Sequence, residues 1–243
     1  MKAMIFAAGL GTRLKPWTLQ HPKALAPVNG KSLLQRNILY LQQFGITQVL
    51  VNVHHFANQI IDTITENKGW GSNITISDES NEVLETGGGL KKAAWYFKEE
   101  ESFLVMNADM LTNLSINQLI NAHKADNNRL ATLAVTNRNS SRSLVFNSET
   151  HYLCGWQNNQ NGEQKGPILY QPQIAVITKA FSGIQIINNA IFNEVPEANK
   201  FGIIDWYLQL ANKHAIGYFD HSNDLLLDVG KPESLAKAAE LFP

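Results

Sequence analysis

The first third of the chain alternates between apolar runs and stretches of helical periodicity, and this alternation constrains the fold more than any other feature. Ala3–Ala8 and Val49–Val53 read as strands buried on both faces, the first showing no polar alternation at all, and Ile74–Ile76 reads as a third strand. Ser32 caps an amphipathic helix between the first two, with Leu33, Leu34, Ile38, Leu41 and Phe44 on its apolar face and Gly45 as its stop. A second helix, Ala57 to Glu66, leads to the third strand. The resulting β-α-β-α-β order predicts a parallel sheet with right-handed crossovers and helices on both faces. Ligands of such sheets bind outside the carboxyl ends of the strands.

The first strand empties into Ala8-Gly-Leu-Gly-Thr-Arg13, and Pro22-Lys23 follows. Gly9 and Gly11 carry no Cβ to keep a ligand off the backbone, and successive N–H groups in such a loop form an anion cradle. Arg13 and Lys23 add the fixed positive charge that a polyphosphate requires. The loop is not a P-loop, because no Lys-Ser or Lys-Thr follows the glycines. It is not the dinucleotide fingerprint either, because Leu14 stands where a third glycine belongs. Nor does it belong to a signal peptide, since Gly9, Arg13 and Lys15 interrupt the apolar octet.

Further along, Leu84-Glu-Thr-Gly-Gly-Gly-Leu90 opens a predicted helix to about Phe97, offering bare backbone to a flat ligand or a phosphate. Phe103–Asp109 and Leu225–Asp228 are two further apolar strands ending in carboxylates. Asp109 and Asp228 are hard oxygen donors suited to Mg²⁺. A helix from Ser115 to Lys124, a strand over Ala131–Thr136 and two short strands near Leu144 and Leu153 lie between them. Asn158 to Gly166 has no packing face and reads as a lid or hairpin tip. Phe181-Ser-Gly-Ile184 continues into a strand, and its Ser182-Gly183 step can bring backbone close to a sugar. Asp205, in a helix from Ile203 to Ala211, either bonds a sugar hydroxyl or serves the helix N-terminus. His54-His55 is no metal pair, because neighbours on a strand point to opposite faces.

The sequence has 243 residues and a net charge of −1, which gives no electrostatic reason to expect nucleic acid or an anionic membrane as partner. Cys154 alone cannot form an intramolecular disulfide or a cysteine-based zinc site. No apolar run reaches the length of a membrane span, and a cytoplasmic protein is the expectation. Trp95, Tyr96, Trp206 and Tyr207 serve either core or interface.

G-L-G-T-R with P-K ten residues past the arginine, L-E-T-G-G-G, the strand-end N-A-D, F-S-G-I and the late D-V-G together resemble the sugar-1-phosphate nucleotidyltransferases over essentially the whole chain. The uninterrupted L-E-T-G-G-G with F-S-G-I is most similar to the N-acetylmuramate-1-phosphate uridylyltransferases. The resemblance implies an α/β fold: a Rossmann-like α/β/α nucleotidyltransferase domain with a mostly parallel central sheet and a small β-rich sugar-binding portion. It implies a single domain over 1–243, with the nucleotide-binding part over about 1–136 and the sugar-binding part over about 137–243. It also implies Mg²⁺, a nucleoside triphosphate (UTP favoured) and a sugar 1-phosphate (N-acetylmuramate 1-phosphate favoured) as partners, with release of pyrophosphate.

On that resemblance Arg13, Lys23, Asp109 and Asp228 are the catalytic set, the aspartates as metal ligands. Ala8, Gly9, Gly11, Thr12, Glu85, Gly87 and Gly88 bind the nucleotide, and Asn107, Ser182, Gly183, Asp205 and Lys165 the sugar. One departure is the mid-chain Glu-Lys-Pro element of many relatives, whose nearest counterpart is Glu163-Gln-Lys-Gly-Pro167. Mannose-1-phosphate guanylyltransferase, cytidylyl transfer to a phosphorylated alcohol and a non-catalytic nucleotide-sugar sensor are the alternatives.

Overall fold

The computed structural model describes residues 1–170 and 173–243. In chain order its strands and helices are β1 (Ala3–Phe6), β2 (Pro27–Val28), β3 (Lys31–Ser32), α1 (Leu33–Gln42), β4 (Gln48–Val53), α2 (Ala57–Glu66) and β5 (Asn73–Asp78). Next come α3 (Glu85–Lys92), β6 (Ser102–Asn107), β7 (Met110–Thr112), α4 (Ile116–Lys124), β8 (Arg129–Thr136), β9 (Arg142–Asn147), β10 (Leu153–Asn158) and β11 (Gln164–Lys165). The chain continues through β12 (Val176–Asn188), α5 (Ile203–Leu210), β13 (Ala215–Asp220), β14 (Leu226–Asp228) and α6 (Pro232–Leu241).

β1 pairs in parallel with β4 on one side and β6 on the other, and β4 pairs in parallel with β5. The sheet continues through β12, the strand that runs against its neighbours, to β8 and then β13, which is parallel to β8. Alternate residues of the inner strands feed two separate cores. Ala3, Ile5, Val49, Val51 and Leu104 face Leu34, Ile38, Ile60 and Leu119 of α1, α2 and α4. Met4, Leu50, Phe103 and Val105 face Leu90 of α3 and Trp206 and Tyr207 of α5. Runs that are apolar on both faces therefore produce a three-layer α/β/α sandwich, as the sequence predicts. Trp206 and Tyr207 are core residues, whereas Trp95 is 62% exposed.

α1 starts as expected: the Ser32 side chain accepts a hydrogen bond from the Gln35 N–H, and Gly45 follows the helix at φ 73°. Two local expectations need correction, one alternative is decided and one strand falls outside the central sheet. The helix from Glu85 does not run unbroken to Phe97; α3 stops at Lys92 and a short 3₁₀ turn, Ala94–Phe97, follows. The strand after Phe181 is the second half of a longer one, because β12 begins at Val176. The 158–166 segment is a hairpin tip, since Gln164 and Lys165 pair back onto Gln157 and Trp156. β14 is not in the central sheet but forms a two-stranded ribbon with β7.

β12 belongs to both parts of the molecule. Its first residues, Val176–Lys179, pair with β9, which carries β10 and β11; its later residues pair with β6 and β8. The small antiparallel sheet is thus an extension of the central one. No helix among the described residues is long and apolar enough to cross a membrane.

Candidate active site

The carboxyl ends of β1 and β6 lie side by side, Phe6 opposite Asn107, and the loops beyond them form the site. Buried polar groups of β4, of α1 and of the turn after β5 hold both loops. Asn52 of β4 accepts the Ala7 N–H at 2.8 Å and donates to Glu79 Oε1 at 2.8 Å. Asn37, buried on α1, donates to the Ala108 carbonyl at 2.8 Å, and the Ala108 N–H donates to the Phe6 carbonyl at 3.0 Å. Burial raises the Glu79 carboxyl above its ordinary value. Sequence reasoning passed over Asn37, Asn52 and Glu79. The signal for Asn37 and Asn52 was a polar residue at a position that the apolar pattern reserves for the core; Glu79, in the polar run after β5, carried none.

Gly11 adopts φ 62°, and a Cβ there would sit 2.8 Å from Lys23 Cβ and 2.9 Å from Thr18 Cγ2. The turn therefore requires glycine on both counts. A Cβ on Gly9 would meet nothing within 4 Å, so this glycine faces open space. Thr12 begins the 3₁₀ turn that carries Arg13. Leu14, 1% exposed, pins that turn into a third apolar cluster with Leu33, Leu111, Val229 and Ala238.

The four expected catalytic residues converge. Lys23 Nζ donates to Asp109 Oδ2, and Arg13 Nη2 lies 3.7 Å from Asp228 Oδ2. The two aspartates are brought together by the β7–β14 ribbon, in which Met110 is opposite Asp228 and the Val229 N–H donates to the Asp109 carbonyl at 2.9 Å. Asp228 Oδ1 is buried with no hydrogen-bond partner among the described residues. Gly230 leaves room beside it: a Cβ there would be 2.7 Å from both Asp228 Oδ1 and Arg13 Nη2, so these side chains would have to shift.

Arg138, absent from the expected set, donates to the Phe181 carbonyl at 2.9 Å. Desolvation lowers its pKa, and the charge of Asp228 acts in the opposite direction.

Gly9, Lys23, Thr86, Asn107 and Asp109 line a cleft of about 170 Å³. A second cleft, of about 400 Å³, is lined by Arg142, Leu144, Trp156, Lys165, Ile204 and Asp205 among others. The two are bridged where the Ile203 N–H donates to Thr86 Oγ1 at 3.0 Å. Lys165 Nζ is 3.7 Å from both Glu163 Oε1 and Asp205 Oδ1 and 5.2 Å from the centre of the Trp156 ring. Thr86, Trp156 and Arg142 also escaped the sequence reading.

Two expected groups are used otherwise. The Gly87 and Gly88 N–H groups donate to the Phe201 carbonyl, at 2.9 and 3.2 Å. A Cβ on Gly87 would overlap the Phe201 ring at 2.4 Å, and one on Gly88 the Asn199 carbonyl oxygen at 2.0 Å. These glycines let the segment before α5 close on the α3 N-terminus, and their N–H groups are already committed. Glu85 beside them adopts φ 61°, a left-handed conformation that costs a non-glycine residue about 1–2 kcal/mol. Ser182 is fully buried, with Oγ 2.7 Å from His221 Nε2, and does not face a sugar cleft. Asp224 Oδ2 lies 3.6 Å from His221 Nδ1, but a serine sealed in this way is no nucleophile. Gly183, at φ 70°, lets the chain pass Asn107, whose Nδ2 would be 2.7 Å from a Cβ at this position.

The family model for nucleotidyl transferases matches residues 2–144, which span β1 to β9 and hold Arg13, Lys23 and Asp109. The chain belongs to the nucleotidyl transferase family. Among nucleotidyl transferases, it is 40% identical over 114 residues to the N-acetylmuramate alpha-1-phosphate uridylyltransferase of Neisseria meningitidis serogroup B, covering 47% of this chain and 49% of the relative. It is 42% identical over 111 residues to the enzyme of the same name from Caulobacter vibrioides, covering 45% and 46%. The chain thus matches about half the length of these curated relatives. A D-glycero-alpha-D-manno-heptose 1-phosphate guanylyltransferase from Aneurinibacillus thermoaerophilus is 29% identical over 257 residues, covering 98% of this chain and 96% of the relative. In fold, the chain matches the crystal structure of HddC from Yersinia pseudotuberculosis complexed with GMP-PN, with a TM-score of 0.76 at 24% identity, covering 100% and 99%.

Proposed function

We propose that the chain joins a nucleoside triphosphate to a sugar 1-phosphate, UTP and N-acetylmuramate 1-phosphate being favoured. The observation that carries this reading is the meeting of Arg13, Lys23, Asp109 and Asp228, drawn from four separate places in the chain, around the β7–β14 ribbon, with Lys23 and Asp109 lining the smaller cleft. A phosphate oxygen of the sugar ester attacks the α-phosphorus in line. The bond from that phosphorus to the bridging oxygen of the β-phosphate breaks, and pyrophosphate leaves. The nucleophile is ionised at neutral pH, so the reaction needs alignment and charge neutralisation rather than a general base.

Lys23 bridges the α-phosphate and the incoming ester, and Arg13 stabilises the departing pyrophosphate. Gly9 lets the nucleotide approach the loop backbone, and Ala8, Gly11 and Thr12 shape that loop. Asp109 and Asp228 fit a magnesium site: both are hard oxygen donors, and the buried, partnerless Asp228 Oδ1 is an atom a cation would satisfy. When bound, the ion would supply positive charge at the α-phosphate.

The preference for UTP and the muramate ester rests on the L-E-T-G-G-G and F-S-G-I segments and on the two uridylyltransferase relatives. A second reading, guanylyl transfer, is favoured by the heptose 1-phosphate guanylyltransferase, which aligns over nearly all of both chains. The deciding experiment is pyrophosphate release in Mg²⁺ with UTP, GTP, CTP and dTTP against N-acetylmuramate, mannose, glucose and N-acetylglucosamine 1-phosphates. Turnover confined to UTP with the muramate ester is expected. Turnover with GTP and mannose 1-phosphate would keep the reaction and overturn the substrates; nucleotide binding without turnover would point to a sensor.

A further inference from the structure

The larger cleft has a charge pattern that singles out one residue. Arg142 pairs across the ladder with Asn158, Leu144 with Trp156, and Trp156 with Lys165. Directly opposed residues share a face, so Arg142, Leu144, Trp156 and Lys165 all point into this cleft. Lys165 is already neutralised by Glu163 and Asp205. Every other arginine is anchored: Arg13 to Asp228, Arg36 to the Val28 carbonyl, Arg129 to Asp126 and Arg138 to the Phe181 carbonyl. The Arg142 guanidinium, among the described residues, donates no hydrogen bond and has no carboxylate within ion-pair distance.

An uncommitted guanidinium lining the same cleft as an aromatic ring and a lysine already paired with two carboxylates is arranged for a ligand that brings its own negative charge. Glu163, Asp205 and Lys165 together carry net −1, which disfavours a second phosphate dianion. A single carboxylate matches one guanidinium in charge and in the geometry of its two oxygens. The half-buried Trp156 ring offers an apolar face to a sugar ring.

We propose that Arg142 is a specificity residue that pairs with a carboxylate on the sugar, away from the 1-phosphate. Acidic sugar 1-phosphates are then the substrate class. The inference rests on the transferase reading above and adds to it the residue that tells an acidic sugar from its neutral counterpart.

The test compares N-acetylmuramate 1-phosphate with N-acetylglucosamine 1-phosphate, which lacks the lactyl carboxylate, in wild type, Arg142→Gln and Arg142→Lys. Thermal melts accompany each variant. Wild type should favour the acidic ester in kcat/KM by about 10–100-fold, the scale of one charge-assisted contact. Arg142→Gln should collapse that ratio through KM for the acidic ester, with kcat retained, and Arg142→Lys should restore part of it. Equal or better use of the neutral ester by wild type would overturn the inference and leave the reaction standing. So would an Arg142→Gln loss shared by both esters. Absence of turnover with either ester would overturn the inference, and the transferase reading would then be decided by the wider matrix of nucleotides and sugar 1-phosphates above.

Discussion

The ammonium of Lys23 donates to the carboxylate of Asp109 across 86 positions of sequence, tying the glycine loop after β1 to the turn after β6. Both side chains are partly shielded, at 13% and 23% exposure, so the pair is not a loose surface contact. In the proposed reaction, incoming phosphates would compete with Asp109 for the ammonium. Lys23→Ala should lower kcat by about 10²–10³, the scale of losing one preorganised donor. Lys23→Arg should fail to rescue, since a planar fork does not replace a point charge. Steady-state pyrophosphate release checks both variants. In the double variant with Asp109→Asn, the loss should fall well short of the product of the single losses.

The two loop glycines should separate folding from binding. Gly11→Ala meets Lys23 and Thr18 and adopts a disfavoured φ, so it should lower the melting temperature along with activity. Gly9→Val meets no protein atom within 4 Å of its Cβ; it should melt as wild type does yet bind nucleotide at least tenfold more weakly. Calorimetric melts and nucleotide titration distinguish the two variants.

Ser182→Ala should act on stability rather than on the sugar. Its hydroxyl is bonded to buried His221, so its loss should cost about 1–2 kcal/mol of unfolding free energy. KM for the sugar ester should stay near the wild-type value. A rise in KM at unchanged stability would return Ser182 to the sugar site.

His123, buried on α4 and bonded to Thr132 Oγ1 at 3.0 Å, has its pKa lowered by burial from 6.5 to about 4. It folds neutral, whereas the unfolded chain takes up a proton as pH falls through 6.5. Stability from this group is therefore full above pH 6.5 and is lost as pH falls to about 4, by roughly 3 kcal/mol in all. Urea midpoints between pH 7 and pH 4 should fall more steeply for wild type than for His123→Asn.

Legibility in the sequence followed the range of the interactions. α1 was readable from its cap, its stop and its apolar face, because those signals lie within the helix itself. Asp109 and Asp228 were readable as a pair of donors, because both end short apolar runs. Their common ribbon was not, since the β7–β14 pairing lies outside the central sheet and three-residue strands leave little pattern. Ser182 misled for a related reason. A Ser-Gly step reads as a close approach of backbone to a ligand, but the groups it approaches are His221 and Asn107, remote in sequence. Gly87 and Gly88 likewise answer to Phe201 and Asn199. Arg138 and Arg142 sit in a polar stretch with no periodicity, where only the folded geometry tells an anchored cation from an uncommitted one.

β12 lies between β6 and β8, and that placement governs how the protein comes off the ribosome. When Thr136 emerges, β8 has no partner, because its only neighbouring strands among the described residues are Val176–Asn188 and Ala215–Asp220. The free edge of β6 likewise waits for residues 184–188. Nascent chains that reach Thr136 therefore still expose one apolar edge of β6 and both edges of β8. Such edges invite pairing with another chain, so truncations ending before β12 should accumulate as aggregates rather than as a smaller nucleotide-binding domain.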